Sequence, residues 1–142
     1  MRVEHAVQGM DFTQAGRGTA TIQRALRQVG MSPTAIRRAT VVCYEAEMNI
    51  VIHAHRGVLA AELQPGRVIV TAADEGPGIP DIGLAMCEGY STAPPQVREM
   101  GLGAGLGLPN IKRHADELDI QSVVGKGTTL RAVIVDDDAA GR

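Results

Sequence analysis

Apolar positions along the chain change period several times, and each change predicts an element. Residues 2–8, RVEHAVQ, alternate weakly between polar and apolar and read as an edge strand. From Asp11 to Val29 the spacing turns helical, with Phe12, Ala15, Ile22, Ala25, Leu26 and Val29 drifting round one face. Gly30 supplies the stop. Ser-Pro-Thr at 32–34 restarts a helix, with Ser32 as N-cap and Pro33 at the first helical position, where a missing N–H costs no hydrogen bond. This second helix is expected from Thr34 to about His55, mostly apolar in its latter half, with Gly57 ending it.

VLAAEL (58–63) and RVIVTAAD (67–74) read as strands joined by Gln-Pro-Gly, a hairpin signal. From Glu75 to about Gly105 regular pattern is lost, and seven glycines with four of the seven prolines fall in this stretch. Unpatterned segments of that length are uncommon in compact domains and tend to be functional lids or disordered. A helix over roughly Leu106–Glu117 follows, then DIQSVV and TTLRAVIV, two strands around Gly-Lys-Gly. The order β-α-α-β-β-lid-α-β-β, without strict strand–helix alternation, predicts an α+β fold built as a two-layer sandwich. One domain over 1–135, with a lid at about 80–105, is expected to precede a solvated acidic tail at 136–142.

Composition narrows the function. With one Phe, two Tyr and no Trp, the chain lacks the rings on which single-stranded nucleic acid stacks. A net charge of −2 without a basic stripe argues against a DNA-binding surface. Cys43 and Cys87 have no metal-ligand spacing and read as two reduced thiols. The start, MRVEHAVQGM, lacks the apolar centre of a signal peptide, and no apolar run approaches the ~18–20 residues of a membrane span. A cytoplasmic protein, without membrane or nucleic-acid partners, is the expectation.

The chemistry begins at GLGAGLGL, Gly101 to Leu108, where glycine occupies every second position of 101–107 just ahead of a helix. Each glycine carries a cost of roughly 0.5–1 kcal/mol relative to alanine. Bare backbone N–H groups at a helix start attract phosphates. A dinucleotide fingerprint fails on spacing, because its third glycine would fall on Leu106 or Leu108. A Walker A loop fails too: Gly125-Lys126 is followed by Gly127, and Ile120 stands where its first glycine belongs.

Four pieces in order do form a pattern. YEAEMN places Glu45 and Asn49 one helical turn apart on one face. DEGPGIPD puts Asp74 at a strand end, followed by Gly76 and Gly78; GLGAGLGL follows the lid; GKGTTL opens the last strand. This series resembles the N, G1, G2 and G3 boxes of the GHKL ATPases, which include DNA gyrase and histidine kinases, over roughly residues 41–134. Within them the chain most resembles the small anti-sigma and switch serine kinases of bacterial partner-switching systems, above all in DEGPGIPDIGLAMCEGYST and GLGAGLGLPNIKR. The resemblance implies a Bergerat ATP-binding fold: a mixed, mainly antiparallel sheet, helices on one face and a nucleotide lid.

It also implies roles. Glu45 would be the general base, Asn49 would hold Mg²⁺, and Asp74 would read the adenine of ATP or ADP, with Thr128 supporting it. Gly76 and Gly78 would let the purine pack on backbone, while Gly101, Gly103 and Gly105 would offer amides to the phosphates. As plain sequence the same residues read as an exposed polar stripe, a turn-initiating Asp, a hairpin Thr and a lid hinge. Gly107 reads as a close-packing position, Glu47 as surface, and His53 and His55 as cations capping a helix C-terminus. Lys112 and Arg113 read as exposed bases. Arg98, Ser91 and Thr92 are weaker phosphate candidates. Some anti-sigma kinases carry an arginine two residues before the lid glycines. Glu99 stands there in this chain, which favours the switch-kinase branch. The implied activity is phosphorylation of a serine or threonine on a STAS-domain anti-sigma antagonist or stressosome scaffold, with a phosphatase or sigma factor downstream. A nucleotide-dependent anti-sigma module and a detached histidine-kinase ATP domain are the alternatives.

Overall fold

A computed structural model describes residues 1–87 and 107–137. The chain runs β1 (Arg2–Gln8), α1 (Arg17–Gln28), α2 (Pro33–His53), β2 (Arg56–Gln64), β3 (Arg67–Glu75) and α3 (Ile82–Ala85). It continues with α4 (Gly107–His114), β4 (Glu117–Val123) and β5 (Gly127–Val135). The five strands form one sheet in the order β1-β2-β3-β5-β4, which places β1 at an edge as its weak alternation predicts. Every pairing is antiparallel, so the parallel component expected of a mixed sheet is absent among the described residues.

Register explains the core. Leu59 pairs with Ala72 and Ala72 with Leu130; Ala61 pairs with Val70 and Val70 with Ala132. Because side chains alternate across a strand, these residues share one face, and all are buried with Ile22 and Leu26 of α1, Val42 and Ile50 of α2, and Ile111 of α4. The opposite face carries Arg2, Glu4 and Glu62, linked by ion pairs. Asp74 is in register with Gly57, and Gly57 with Val7, so the helix-facing side continues to the end of β3. No helix among the described residues is long and apolar enough to cross a membrane.

Several boundaries differ from the sequence reading, each for a local reason. α1 begins at Arg17 rather than Asp11, since Gly16 adopts a left-handed φ of 93° that a helix cannot continue through. Glu47, expected at the surface, is only 1% exposed. Its carboxylate accepts N–H bonds from Gly16 at 3.0 Å, Gly18 at 3.1 Å and Thr19 at 2.9 Å, and the Thr19 hydroxyl at 2.7 Å. It thereby supplies the anionic cap that the first turn of α1, which has no acidic residue, lacks. Full burial, with the same charge adding to it, pushes the neighbouring Cys43 thiol up to about 12, which keeps it an unreactive core group.

Ser32 caps α2 as predicted, accepting the Ala35 N–H at 3.2 Å. Its own N–H and hydroxyl donate to Asp136 at 2.9 and 2.7 Å. The stretch read as a solvated tail therefore starts with a carboxylate 3% exposed and pinned to the start of α2. α4 stops at His114 instead of Glu117, because Asp116 N–H turns to the Val133 carbonyl and β4 begins. Within the expected lid, Asp81 accepts the Leu84 N–H at 3.0 Å and starts the one-turn α3, too short to show a period in the sequence.

Candidate functional site

α2 brings Glu45 and Asn49 to one half-buried face, four residues apart and therefore stacked. The start of α4 lies across them. A Cβ built on Gly107 would stand 3.1 Å from Glu45 Oε2 and 3.6 Å from Asn49 Oδ1. Two side-chain oxygens thus converge on a bare Cα, and the glycine of the expected close packing is the one that admits them. Burial raises the Glu45 carboxyl above its ordinary value, while a hydrogen bond from Asn110 and the charge of His114 pull it back. α4 is held against α2 further along as well: Arg38 Nε donates to the His114 carbonyl at 3.0 Å and Arg38 Nη2 to Asp116 at 2.8 Å. Burial pushes Asp116 up, and the Val135 N–H and Arg38 outweigh it, leaving this carboxyl below its usual range.

A second cluster gathers at the end of β3. Thr128 N–H donates to Asp74 Oδ1 at 3.1 Å, joining residues 54 apart in the chain. Burial raises the Asp74 carboxyl and this N–H lowers it. Gly76 follows so closely that a Cβ there would lie 3.3 Å from Asp74 Oδ1 and 2.9 Å from Ala54 Cα, just past the end of α2. Gly78 holds a φ of 77°, and a Cβ would meet the Val123 carbonyl at 2.5 Å. The turn is tied down by Ser122, whose Oγ accepts the Ile79 N–H at 2.7 Å and lies 2.8 Å from Thr128 Oγ1.

Of the residues singled out in the sequence, Glu45, Asn49 and Gly107 thus form one group, and Asp74, Gly76, Gly78 and Thr128 another. α2 carries the first and meets the second at its end. Gly101, Gly103 and Gly105, with Ser91, Thr92, Arg98 and Glu99, lie outside the described residues. Lys112 and Arg113 are exposed as expected. His53 is not the capping cation it was read as, because burial lowers its pKa and favours the neutral ring. Sequence reasoning missed Ser122, Gly127 and Asn110. A Cβ on Gly127 would fall 2.0 Å from the Asp74 carbonyl, so its glycine was a legible signal. Ser122 and Asn110 carry no such mark, since only the fold brings them to the acidic residues.

The layered sheet, the Glu–Asn helix face and the strand-end Asp with its glycine turn define a GHKL-type ATP-binding domain. The histidine kinase-like ATPase domain model matches residues 11–134, and the chain belongs to that family. Among its relatives, serine/threonine-protein kinase RsbT of Bacillus subtilis (strain 168) is 36% identical over 124 residues, spanning 84% of this chain and 83% of RsbT. Anti-sigma F factor of Geobacillus stearothermophilus is 29% identical over 116 residues, 78% of this chain and 76% of its own length. The fold is shared with the RsbU and RsbW domains of Rv1364c from Mycobacterium tuberculosis, at TM-score 0.64 and 18% identity, covering 95% of this chain and 32% of that one. It is shared equally with the SiaB–SiaC complex from Pseudomonas aeruginosa, at TM-score 0.64 and 20% identity, covering 94% of this chain and 88% of that one.

Proposed function

We propose that this protein is a cytoplasmic, ATP-dependent serine/threonine kinase that phosphorylates a STAS-domain regulator and so acts as a partner switch. The observation that carries the reading is the convergence of Glu45 Oε2 and Asn49 Oδ1 on the Cα of Gly107 at the start of α4. A base and a hard oxygen ligand side by side, facing bare backbone, suit transfer of a phosphoryl group, which needs chiefly positioning and charge stabilisation.

In this reading Asp74 keeps Oδ1 on Thr128 N–H and offers Oδ2 to the exocyclic N–H of adenine. The Asn49 amide oxygen is a hard donor of the kind Mg²⁺ takes and would hold the ion, whose positive charge would be supplied against the triphosphate. Glu45 takes the proton from the substrate hydroxyl as that oxygen bonds to the γ-phosphorus and the bond from phosphorus to the β–γ bridging oxygen breaks. ADP leaves with that oxygen. Burial raises the Glu45 pKa, which makes it a stronger base than a solvated carboxylate. Gly101, Gly103 and Gly105 are assigned to the phosphates on sequence grounds.

Incubation with radiolabelled ATP and a STAS-domain protein tests this. Label on a partner serine or threonine, lost in Glu45→Ala, is the expected result. Tight binding with no label would replace the kinase by a sequestering module, a reading favoured by the anti-sigma F factor relatives. Label on a histidine would identify a detached histidine-kinase domain.

A further inference from the structure

Two residues beyond the pair Ile120–Leu130, the register of β4 and β5 sets Ser122 opposite Thr128. Ile120 and Leu130 pack on the core and side chains alternate along a strand, so this polar pair stands on the helix-facing side. The β3–β5 ladder closes at Ala73 and Thr129, and Thr128, the next residue on β5, gives its N–H to Asp74 Oδ1 at 3.1 Å. Ser122 Oγ meets three groups: it accepts the Ile79 N–H at 2.7 Å and lies 2.8 Å from Thr128 Oγ1 and 3.3 Å from the Gly127 carbonyl. A hydroxyl has one hydrogen and two lone pairs. With the hydrogen on the Gly127 carbonyl and the lone pairs taking the Ile79 N–H and the Thr128 hydroxyl, all three partners are served and the oxygen has nothing left for a ligand. One small side chain thus stitches the start of β5, which donates to Asp74, to the turn that leaves Asp74. Backbone bonds hold the same two segments independently: Gly76 N–H donates to the Lys126 carbonyl at 3.1 Å and Gly125 N–H to the Pro77 carbonyl at 2.8 Å.

We propose that Ser122 is a positioning residue for adenine specificity: it fixes Thr128 and the 76–79 turn on either side of Asp74, so that Oδ2 stays aimed at the base amine. The inference rests on Asp74 reading adenine, as proposed above. The last side-chain torsion of an aspartate is broad, so one anchored oxygen decides where the other points. That anchor is the Thr128 N–H, and it is as firm as the residue that supplies it. The backbone bonds keep the turn folded; Ser122 keeps its parts in register with the carboxylate. Ser122 touches neither base nor phosphate in this scheme, so its effect passes through Asp74.

Calorimetry on the full chain tests it, with ADP and with purine riboside 5′-diphosphate, which is ADP without its 6-amino group. Wild type should bind ADP more tightly than the analogue, on the order of tenfold or more. Ser122→Ala should shrink that ratio about threefold or more by weakening ADP, with analogue affinity within about twofold of wild type. Ser122→Cys has a similar shape but a weaker donor and acceptor, so its ratio should fall between, and it carries the test if the alanine variant does not fold. In an Asp74→Ala background, Ser122→Ala should leave the ratio where Asp74→Ala put it, because both act on one contact. A wild-type ratio in the Ser122 variants would overturn the proposal and leave Asp74 as the reader. Equal losses for ADP and the analogue would make Ser122 merely structural and overturn it too. If wild type bound the two nucleotides alike, or if Asp74→Ala kept the wild-type ratio, the Asp74 reading would fall and this inference with it.

Discussion

Glu45 and Asp74 are half-buried carboxylates raised by desolvation and each relieved by one hydrogen bond, yet the proposed chemistry asks different things of them. Glu45 must take a proton, so Glu45→Gln should cut phosphoryl transfer by about 10²-fold or more while ADP affinity changes less than about twofold. Asp74 must accept a hydrogen bond. Asp74→Asn can turn its NH₂ toward the adenine amine, donor against donor, and calorimetry should register a fall of at least about tenfold in ADP affinity. His53 decides a pH effect. It lies in the last turn of α2, where the helix dipole favours a cation, but burial wins and lowers its pKa below 6.5. Between the lowered folded value and 6.5, only the unfolded chain binds the proton, so stability is retained above 6.5 and lost as pH falls through that window. Melting temperature should decline on acidification from neutral pH, and His53→Gln should flatten the decline over that window.

Helices α1 and α2 are joined by one carboxylate as well as by apolar contact. Glu47 satisfies three backbone N–H groups and a hydroxyl at the start of α1, groups that are otherwise unpaired at any helix N-terminus. Glu47→Ala leaves these donors facing a cavity, and urea denaturation should report a loss of about 3 kcal/mol or more. Glu47→Gln keeps the shape but can accept through one oxygen only and should fall between. Because Glu47 sits between Glu45 and Asn49 on α2 but points to α1, it also fixes the rotation of the helix that presents them.

β5 lies between β3 and β4, and this order sets both the site and the closure of the domain. It carries Thr128 to Asp74 at one end of the sheet and Asp136 to Ser32 at the other. Asp136→Ala removes the acceptor of two buried donors on Ser32 and should cost about 1–3 kcal/mol in thermal or chemical unfolding. Nucleotide affinity should be little altered, since Asp136 joins α2 at its opposite end from the Asp74 turn.

The sequence by itself determined the features that depend on near neighbours. Among the described residues, periodicity located the five strands and the three longer helices, Ser32-Pro33 marked the start of α2, and the glycines of 76–78 marked a turn, which Gly78 makes at a φ of 77°. Helical spacing alone was enough to put Glu45 and Asn49 on one face. Only the tertiary structure decided where charged groups found partners. Glu47, Asp136, Ser122 and Asn110 look like ordinary surface polar residues in the chain, because the groups that satisfy or employ them lie on other elements. A buried charge or amide is specified by what the fold places opposite it, and a linear pattern records hydrophobicity along the chain but not the donors that complete it.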